Sequence, residues 1–238
     1  MIVDLSGRHV IVTGGTGALG TAVVRTFVSS GATCTVPYVL EDEAQHFPLG
    51  AQKQVTLLKV SDLADEAEVS KLYATVKSTA PLWASIHLAG GFAAGKVAET
   101  DKKTLMTQID NNFISCFICC RAAVQAMLAA GQGGRIVNVA ARPALEWRSG
   151  AGMAAYTAAK TGVAALTVAL AEEVAKDGIL VNAVAPSIMD TPANRKAMPK
   201  ANFDAWPQVE EVAATIAFLA SPDNRVTRGA IVPVYGKT

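Results

Sequence analysis

A doubly wound parallel α/β sheet is the architecture this sequence predicts, and three observations carry the prediction. Short β-branched apolar runs alternate with segments of helical period from one end of the chain to the other. The apolar runs are continuous and do not alternate in polarity, as in strands covered on both faces. No proline- or glycine-rich linker, internal repeat or low-complexity tract interrupts the alternation. The 238 residues, 51% of them hydrophobic, therefore read as a single domain over 1–238 with one large core.

The first strand is expected at 10–13, where Val10, Ile11 and Val12 lead into Thr13. It runs into Gly14, Gly15, Thr16, Gly17, Ala18, Leu19 and Gly20, and helical periodicity takes over across 21–30. Glycines between a strand and a helix permit a tight turn, a close backbone approach to a pyrophosphate, and close packing of helix on sheet. The helix start then offers unpaired N–H groups and partial positive charge to phosphates. This setting marks a dinucleotide site. A second strand at 33–36 ends near Val36, Pro37, Tyr38 and Val39. An acid there would grip the ribose hydroxyls of NAD, and an arginine the extra phosphate of NADP. Neither is present, and Glu41, Asp42 and Glu43 follow only later, so the preference between the two cofactors stays open.

A third strand at 55–60 places Asp62 and Leu63 where an adenine would lie, although Asp62 also suits the N-cap of the amphipathic helix at 66–78. A short strand at 85–88 leads to Ala89, Gly90 and Gly91. A long helix at 112–130 opens at Asn112 and precedes a strand at 135–139. Helix 153–176 carries Tyr156 and Lys160, and strand 180–184 follows. A helix at 209–220 and a strand at 230–234 close the sheet. Such sheets bind ligands at the carboxyl ends of their strands, so the loops there are where the chemistry belongs.

Tyr156 and Lys160 stand four residues apart, on one helix face. An ammonium there favours tyrosinate and readies the phenol to exchange a proton near neutral pH. With the glycine loop, this pair points to hydride transfer. His46 and His87 lack partner acids at useful spacing and read as structural.

A formal net charge of +1 gives no electrostatic reason to expect a nucleic acid or an anionic membrane as partner. No apolar run is read as long enough to span a bilayer, and no signal peptide is seen, so the expected location is cytoplasmic. Cys34, Cys116, Cys119 and Cys120 make no disulfide framework for this length. The C-x-x-C of Cys116 and Cys119 lies in an apolar helical stretch without a second ligand pair, so it reads as buried packing, and no metal is expected.

Taken together, Thr13 to Gly20, Asp62-Leu63, Ala89-Gly90, Asn112, Tyr156, Lys160 and Asn182-Ala183-Val184-Ala185-Pro186 with Thr191 beyond resemble the short-chain dehydrogenase/reductase family over the whole chain. The resemblance implies a Rossmann-type sheet and an NAD- or NADP-dependent oxidoreductase. It makes Tyr156 the acid/base, Lys160 its pKa tuner and nicotinamide-ribose ligand, and Asn112 the support of a water relay. Pro186, Met189 and Thr191 would border the nicotinamide, under a short substrate lid at about 187–207. The family's substrate-polarising serine is missing: the corresponding positions are Ala140 and Ala141, and Ser149 is the nearest hydroxyl in a loop two residues longer than usual. His87-Leu88 stands where the family commonly has two asparagines. Both departures, the loop from Ala89 to Gly95 with Phe92, and the lid are similar to the quinonoid dihydropteridine reductase branch, whose conjugated imine substrate needs less polarisation.

The resulting expectation is hydride transfer between a nicotinamide and a small, planar or cyclic carbonyl or imine. The alternatives are a ketone reductase or alcohol dehydrogenase using Ser149, and a non-catalytic nucleotide sensor. Phe203 and Trp206 are expected to anchor the lid. Alanine-rich helices from Asn112 and Met153 predict a homodimer or homotetramer.

Overall fold

The structure, a computed structural model, describes residues 3–77 and 80–238. Seven strands form one parallel sheet: β1 (His9–Thr13), β2 (Thr33–Tyr38), β3 (Val55–Lys59), β4 (Leu82–His87), β5 (Gly134–Val139), β6 (Ile179–Pro186) and β7 (Ile231–Val234). Their order is β3-β2-β1-β4-β5-β6-β7. The order reverses between β1 and β4, and a doubly wound sheet opens a ligand crevice at that point.

The helices cover both faces. One face carries α1 (Ala18–Ser29) and α9 (Val209–Ala220). The other carries α3 (Glu66–Lys77), α5 (Ser115–Ala130) and α7 (Ala154–Glu173). Alternation along β1 feeds the two cores: Val10 and Val12 pack beneath α1 and α9, whereas Ile11 packs with α3, α5 and α7. Short helices α2 (Glu41–Gln45), α4 (Lys102–Ile109), α6 (Arg142–Leu145) and α8 (Pro192–Ala197) lie between the main elements.

Most elements sit where the sequence places them, and the departures have local causes. The first main helix starts at Ala18, so Leu19 and Gly20 lie in its opening turn. The helix expected at 66–78 is Glu66–Lys77, and Ser78 lies outside the described residues. Asn112 does not open a helix. Helical backbone begins at Lys102, where Asp101 caps α4 by accepting from Thr104 N at 2.7 Å. It then passes through a wide π turn, Asp110–Ile114, before α5.

Contrary to the expectation of no spanning run, Lys102–Ala130 and Ala154–Glu173 are long and apolar enough to cross a membrane by length and composition alone. Both bury one face against the sheet, which accounts for their apolar character.

Candidate active site

The crevice begins where β1 ends. Gly14 has φ +66°, and a Cβ on it would lie 2.7 Å from Ala89 N, so the loops after β1 and β4 touch backbone to backbone. Leu88 N donates to Thr13 O at 3.1 Å across the same gap. A Cβ on Gly20 would collide with the Gly14 carbonyl oxygen, so α1 packs directly on the turn formed by Gly15, Thr16 and Gly17. Gly17 is the N-cap of α1, with no side-chain cap and no acid in the first turn. The cradle therefore fits a nucleotide pyrophosphate: its N–H groups are unclaimed by side chains, and the first turn of α1 carries no acid.

From this turn a cleft of about 490 Å³ runs past Tyr38, Asp62, Leu63, Ala89 and Gly90. Asp62 is not the helix cap. Its carboxylate accepts from Ala64 N at 2.8 Å in a local turn, and Asp65 takes the cap by accepting from Ala67 N and Glu68 N. Leu63 is buried beside it.

Leu40, Asn111 and Ser115 also line this cleft and were not singled out in the sequence, whereas Val39, Glu43 and Leu88 were named there without a cofactor role being fixed. The acidic run is a short helix, α2, that brings Glu43 back to accept from Thr16 Oγ1 at 2.9 Å. Glu41 is held by Lys59 Nζ at 2.6 Å and by the Tyr38 hydroxyl at 3.4 Å. The only available signal was three acids in a row, which equally describes a solvated face.

Asn112 sits in the π turn and is buried. Its Nδ2 donates to Gly91 O and to Gln108 O, both at 2.9 Å, and Gly91 N donates to its Oδ1 at 3.3 Å. The side chain clamps the Gly90-Gly91 turn against the helix, a positioning role beside the relay implied by resemblance.

One turn apart on α7, Tyr156 and Lys160 meet at the centre of the site. The Lys160 ammonium lies 5.9 Å from the Tyr156 ring centroid and donates to Val139 O at 2.8 Å, at the end of β5. Burial strips water from both groups. It pulls the Lys160 ammonium down to about 8 and pushes the Tyr156 phenol up to about 12. In the unliganded protein desolvation is thus the dominant influence on the phenol. The ammonium gives one of its three N–H bonds to the Val139 carbonyl and, among the described residues, keeps the others free to face the crevice.

Phe92 packs edge-on to Tyr156, with centroids 5.1 Å apart and rings at 84°, yet 62% of its own surface is exposed. Its loop is pinned by Gly95 N donating to Gly152 O at 2.7 Å. Ala140 and Ala141 are both buried at the end of β5 and offer no hydroxyl. Ser149 is exposed, and its hydroxyl donates to Glu146 O at 2.7 Å.

β6 ends at Pro186, and the lid follows. Met189 packs on the core, and its carbonyl accepts from Asn194 Nδ2 at 2.8 Å. Thr191 Oγ1 accepts from Asn194 N at 3.2 Å, capping α8. Asp190 ties the two ends of the lid together. It chelates Arg195 at 2.5 and 2.6 Å, accepts from Gln208 Nε2 at 2.9 Å, and donates its own N–H to Pro207 O. The Arg195 and Gln208 contacts hold its carboxyl down at about 2. Trp206 is buried and packs on Phe203 at 5.0 Å, so this pair anchors the lid as expected.

Chemically, the arrangement offers a phosphate cradle, a ribose and adenine cleft, and a phenol–ammonium pair beside an exposed aromatic face. The residues fit a nicotinamide dinucleotide. The cradle would take the pyrophosphate, Lys160 the nicotinamide ribose, and Asp62 and Leu63 the adenine. A nicotinamide held there would supply or accept the hydride, Tyr156 would move the proton at the substrate oxygen or nitrogen, and the positive charge of Lys160 would favour the deprotonated phenol.

Comparison with known proteins identifies the family. The chain is 32% identical to 2,3-dihydroxy-2,3-dihydro-p-cumate dehydrogenase of Pseudomonas putida, over 98% of this chain and 94% of that one. The solved structure of gox2181 superposes with a TM-score of 0.90 at 29% identity, covering 98% of this chain and 96% of the other. The fold is also that of ElxO, solved with NADP bound, at a TM-score of 0.88 and 24% identity over 96% of this chain and 97% of that one. The family model described as short chain dehydrogenase matches residues 8–202, and the chain belongs to that family of NAD(P)-dependent oxidoreductases.

Proposed function

We propose that this enzyme transfers hydride between NAD(P) and a small cyclic substrate whose reacting carbon is already activated by conjugation, as in a quinonoid dihydropterin or a conjugated ring ketone. The observation that carries this reading is the pair of buried alanines, Ala140 and Ala141, at the end of β5. With no hydroxyl there, the only side-chain proton donor assigned to the substrate atom is Tyr156. A plain ketone needs a second donor aimed at its developing negative charge, and the loss of one such donor costs on the order of 2.7–4 kcal/mol in the transition state. A conjugated imine or enone spreads that charge and tolerates the loss. The exposed face of Phe92 beside Tyr156 suits a flat ring.

A second reading has its own support. The relative at 32% identity is named for a ring diol, so oxidation of a ring alcohol by the oxidised cofactor is the same chemistry run backwards. One assay separates the readings. NADH and NADPH oxidation is followed with quinonoid dihydropterin, a conjugated cyclic ketone and an acyclic ketone, and NAD(P) reduction with a cyclic cis-diol. The expected order places the conjugated rings first and the acyclic ketone last. Preference for the acyclic ketone would overturn the proposal.

We further propose that the enzyme works in the cytoplasm as a homodimer or homotetramer through α5 and α7. Phe117, Leu128 and Val168 leave apolar surface exposed on these helices. A monomeric mass by light scattering at micromolar concentration would refute that assembly.

A further inference from the structure

Beneath the Gly90-Gly91 loop lies a buried cluster that the hydride chemistry does not use. His87 closes β4, and Asn138 pairs with it across the β4–β5 ladder. Cys116 and Cys120 project from α5 one turn apart. The donor atoms of His87, Cys116 and Cys120 all lie within 4.8 Å of one another, and all three residues are buried. His87 Nδ1 is 3.4 Å from Cys120 Sγ and 2.8 Å from Asn138 Oδ1, and Cys120 Sγ is 3.4 Å from the same Oδ1. The sequence reading attended to the C-x-x-C spacing of Cys116 and Cys119, but the helix gathers Cys116 with Cys120.

We propose that His87 Nδ1, Cys116 Sγ, Cys120 Sγ and Asn138 Oδ1 form a site for a thiophilic divalent metal ion of the zinc and cadmium class. With metal–sulfur bonds of about 2.3 Å and metal–nitrogen bonds of about 2.0 Å, neighbouring corners of a tetrahedral site stand about 3.5 Å apart. The separations among His87, Cys120 and Asn138, 2.8 to 3.4 Å, approach that figure, and Cys116 Sγ, within 4.8 Å of the His87 and Cys120 donors, would draw in to complete the site.

The surroundings match what metal ligands require. His87 Nε2 sits 2.8 Å from Ser85 Oγ, which is 2.6 Å from the Tyr73 hydroxyl. Asn138 Nδ2 donates to Thr167 Oγ1 at 2.9 Å, which leaves its oxygen aimed into the cluster. Outer partners of this kind fix ring orientation and tautomer in metal sites. On binding, the two thiol protons pass to solvent and the neutral imidazole changes tautomer: the Nδ1 proton that Asn138 Oδ1 accepts is given up, and Nε2 takes one in its place and donates it to Ser85 Oγ, so the net release is two protons. The two thiolates cancel the charge of the ion, so the buried site stays neutral overall. The metal would join β4, β5 and α5 directly under the loop that Asn112 clamps.

The test uses the full chain stripped with chelator and then given Cd²⁺, both as native protein and during refolding from denaturant, since the cluster is enclosed. The expected result is one Cd²⁺ per chain, an ultraviolet thiolate-to-cadmium charge-transfer band and a raised thermal midpoint. Cys116→Ala and Cys120→Ala should lose all three, whereas Cys34→Ala and Cys119→Ala keep them. NADPH titration verifies that each variant is folded, and Cys120→Val, which fills the space without a donor, stands in where an alanine variant is not. No band in either preparation overturns the proposal. So does a band that survives in Cys116→Ala or Cys120→Ala, or one lost in Cys119→Ala.

Discussion

The two ends of the crevice are built by different means. At the cofactor end the backbone does the work: Gly14 lies against Ala89, Gly20 against Gly14, and the start of α1 carries no side-chain cap. There is no slack, and a single methyl group collides. At the substrate end side chains on loops do the work. Phe92 is mostly exposed, Ser149 is solvated, and the lid is fastened to itself by Asp190, Arg195 and Gln208. The difference teaches that cofactor binding here is a property of packing, whereas substrate choice rests on a few side chains that can change without disturbing the fold.

The strongest way to break that contrast is at the residue where the two ends meet. Tyr156→Phe keeps the ring and its contact with Phe92 but removes the proton donor, so kcat should fall by at least the roughly hundredfold typical of general acid catalysis. Nucleotide affinity, measured by fluorescence titration, should stay nearly unchanged. A variant retaining most of its kcat would mean that proton transfer resides elsewhere.

Lys160 gives the next largest effect, read as stability against pH. Burial depresses its folded-state value to about 8, below the ordinary lysine value, so between about 8 and 10.5 the unfolded chain holds more protons than the folded one. Stability contributed at this site therefore rises with pH across that window and is lowest below about 8. Relative to Lys160→Met, the wild-type protein should gain on the order of 2 kcal/mol between neutral pH and about 10.5, measured by urea denaturation. A pH-independent difference would show that the ammonium is not desolvated.

Gly14→Ala tests the packing claim. The residue's positive φ and the Ala89 backbone both oppose a methyl group, so the protein should lose about 1–3 kcal/mol of stability. Nucleotide affinity should fall with it. The equivalent insult at the substrate end should do least: Ser149→Ala removes a solvated hydroxyl and should leave kcat/KM within about a fewfold of wild type. A hundredfold drop there, with cofactor affinity intact, would make Ser149 the displaced donor and favour a ketone substrate.

This division also accounts for what was legible in the sequence. The sheet, the glycine turn, Tyr156 and Lys160 were readable because period, spacing and the absence of a Cβ are written locally. Asn112 was named from the sequence, but its setting in a π turn was missed, because such a turn has the same composition as the helices around it. Glu43 was hidden because only the short helix α2 carries it back to Thr16. The desolvation of Tyr156 and Lys160 was not legible, because water exclusion is a tertiary property that helix spacing does not encode. The Cys116 and Cys120 pairing with His87 depends on β4 meeting α5, a contact far apart in sequence.

The wide turn at Asp110–Ile114 has a geometric consequence for the chain as a whole. An α-helix advances about 100° per residue, and a π turn takes up one extra residue with little added rotation, so the residues downstream face about 100° away from where an uninterrupted α-helix would put them. The segment from Lys102 to Ala130 thus carries two angular registers, one set by α4 and the other by α5. Winding the same residues as uninterrupted α-helix would displace the faces of α4 and α5 by about 100° from each other. Either the face that packs on β4 or the face that meets α7 would then point away from its partner. The turn acts as a phase shifter, letting one continuous rod serve two surfaces that no single helical repeat can satisfy together.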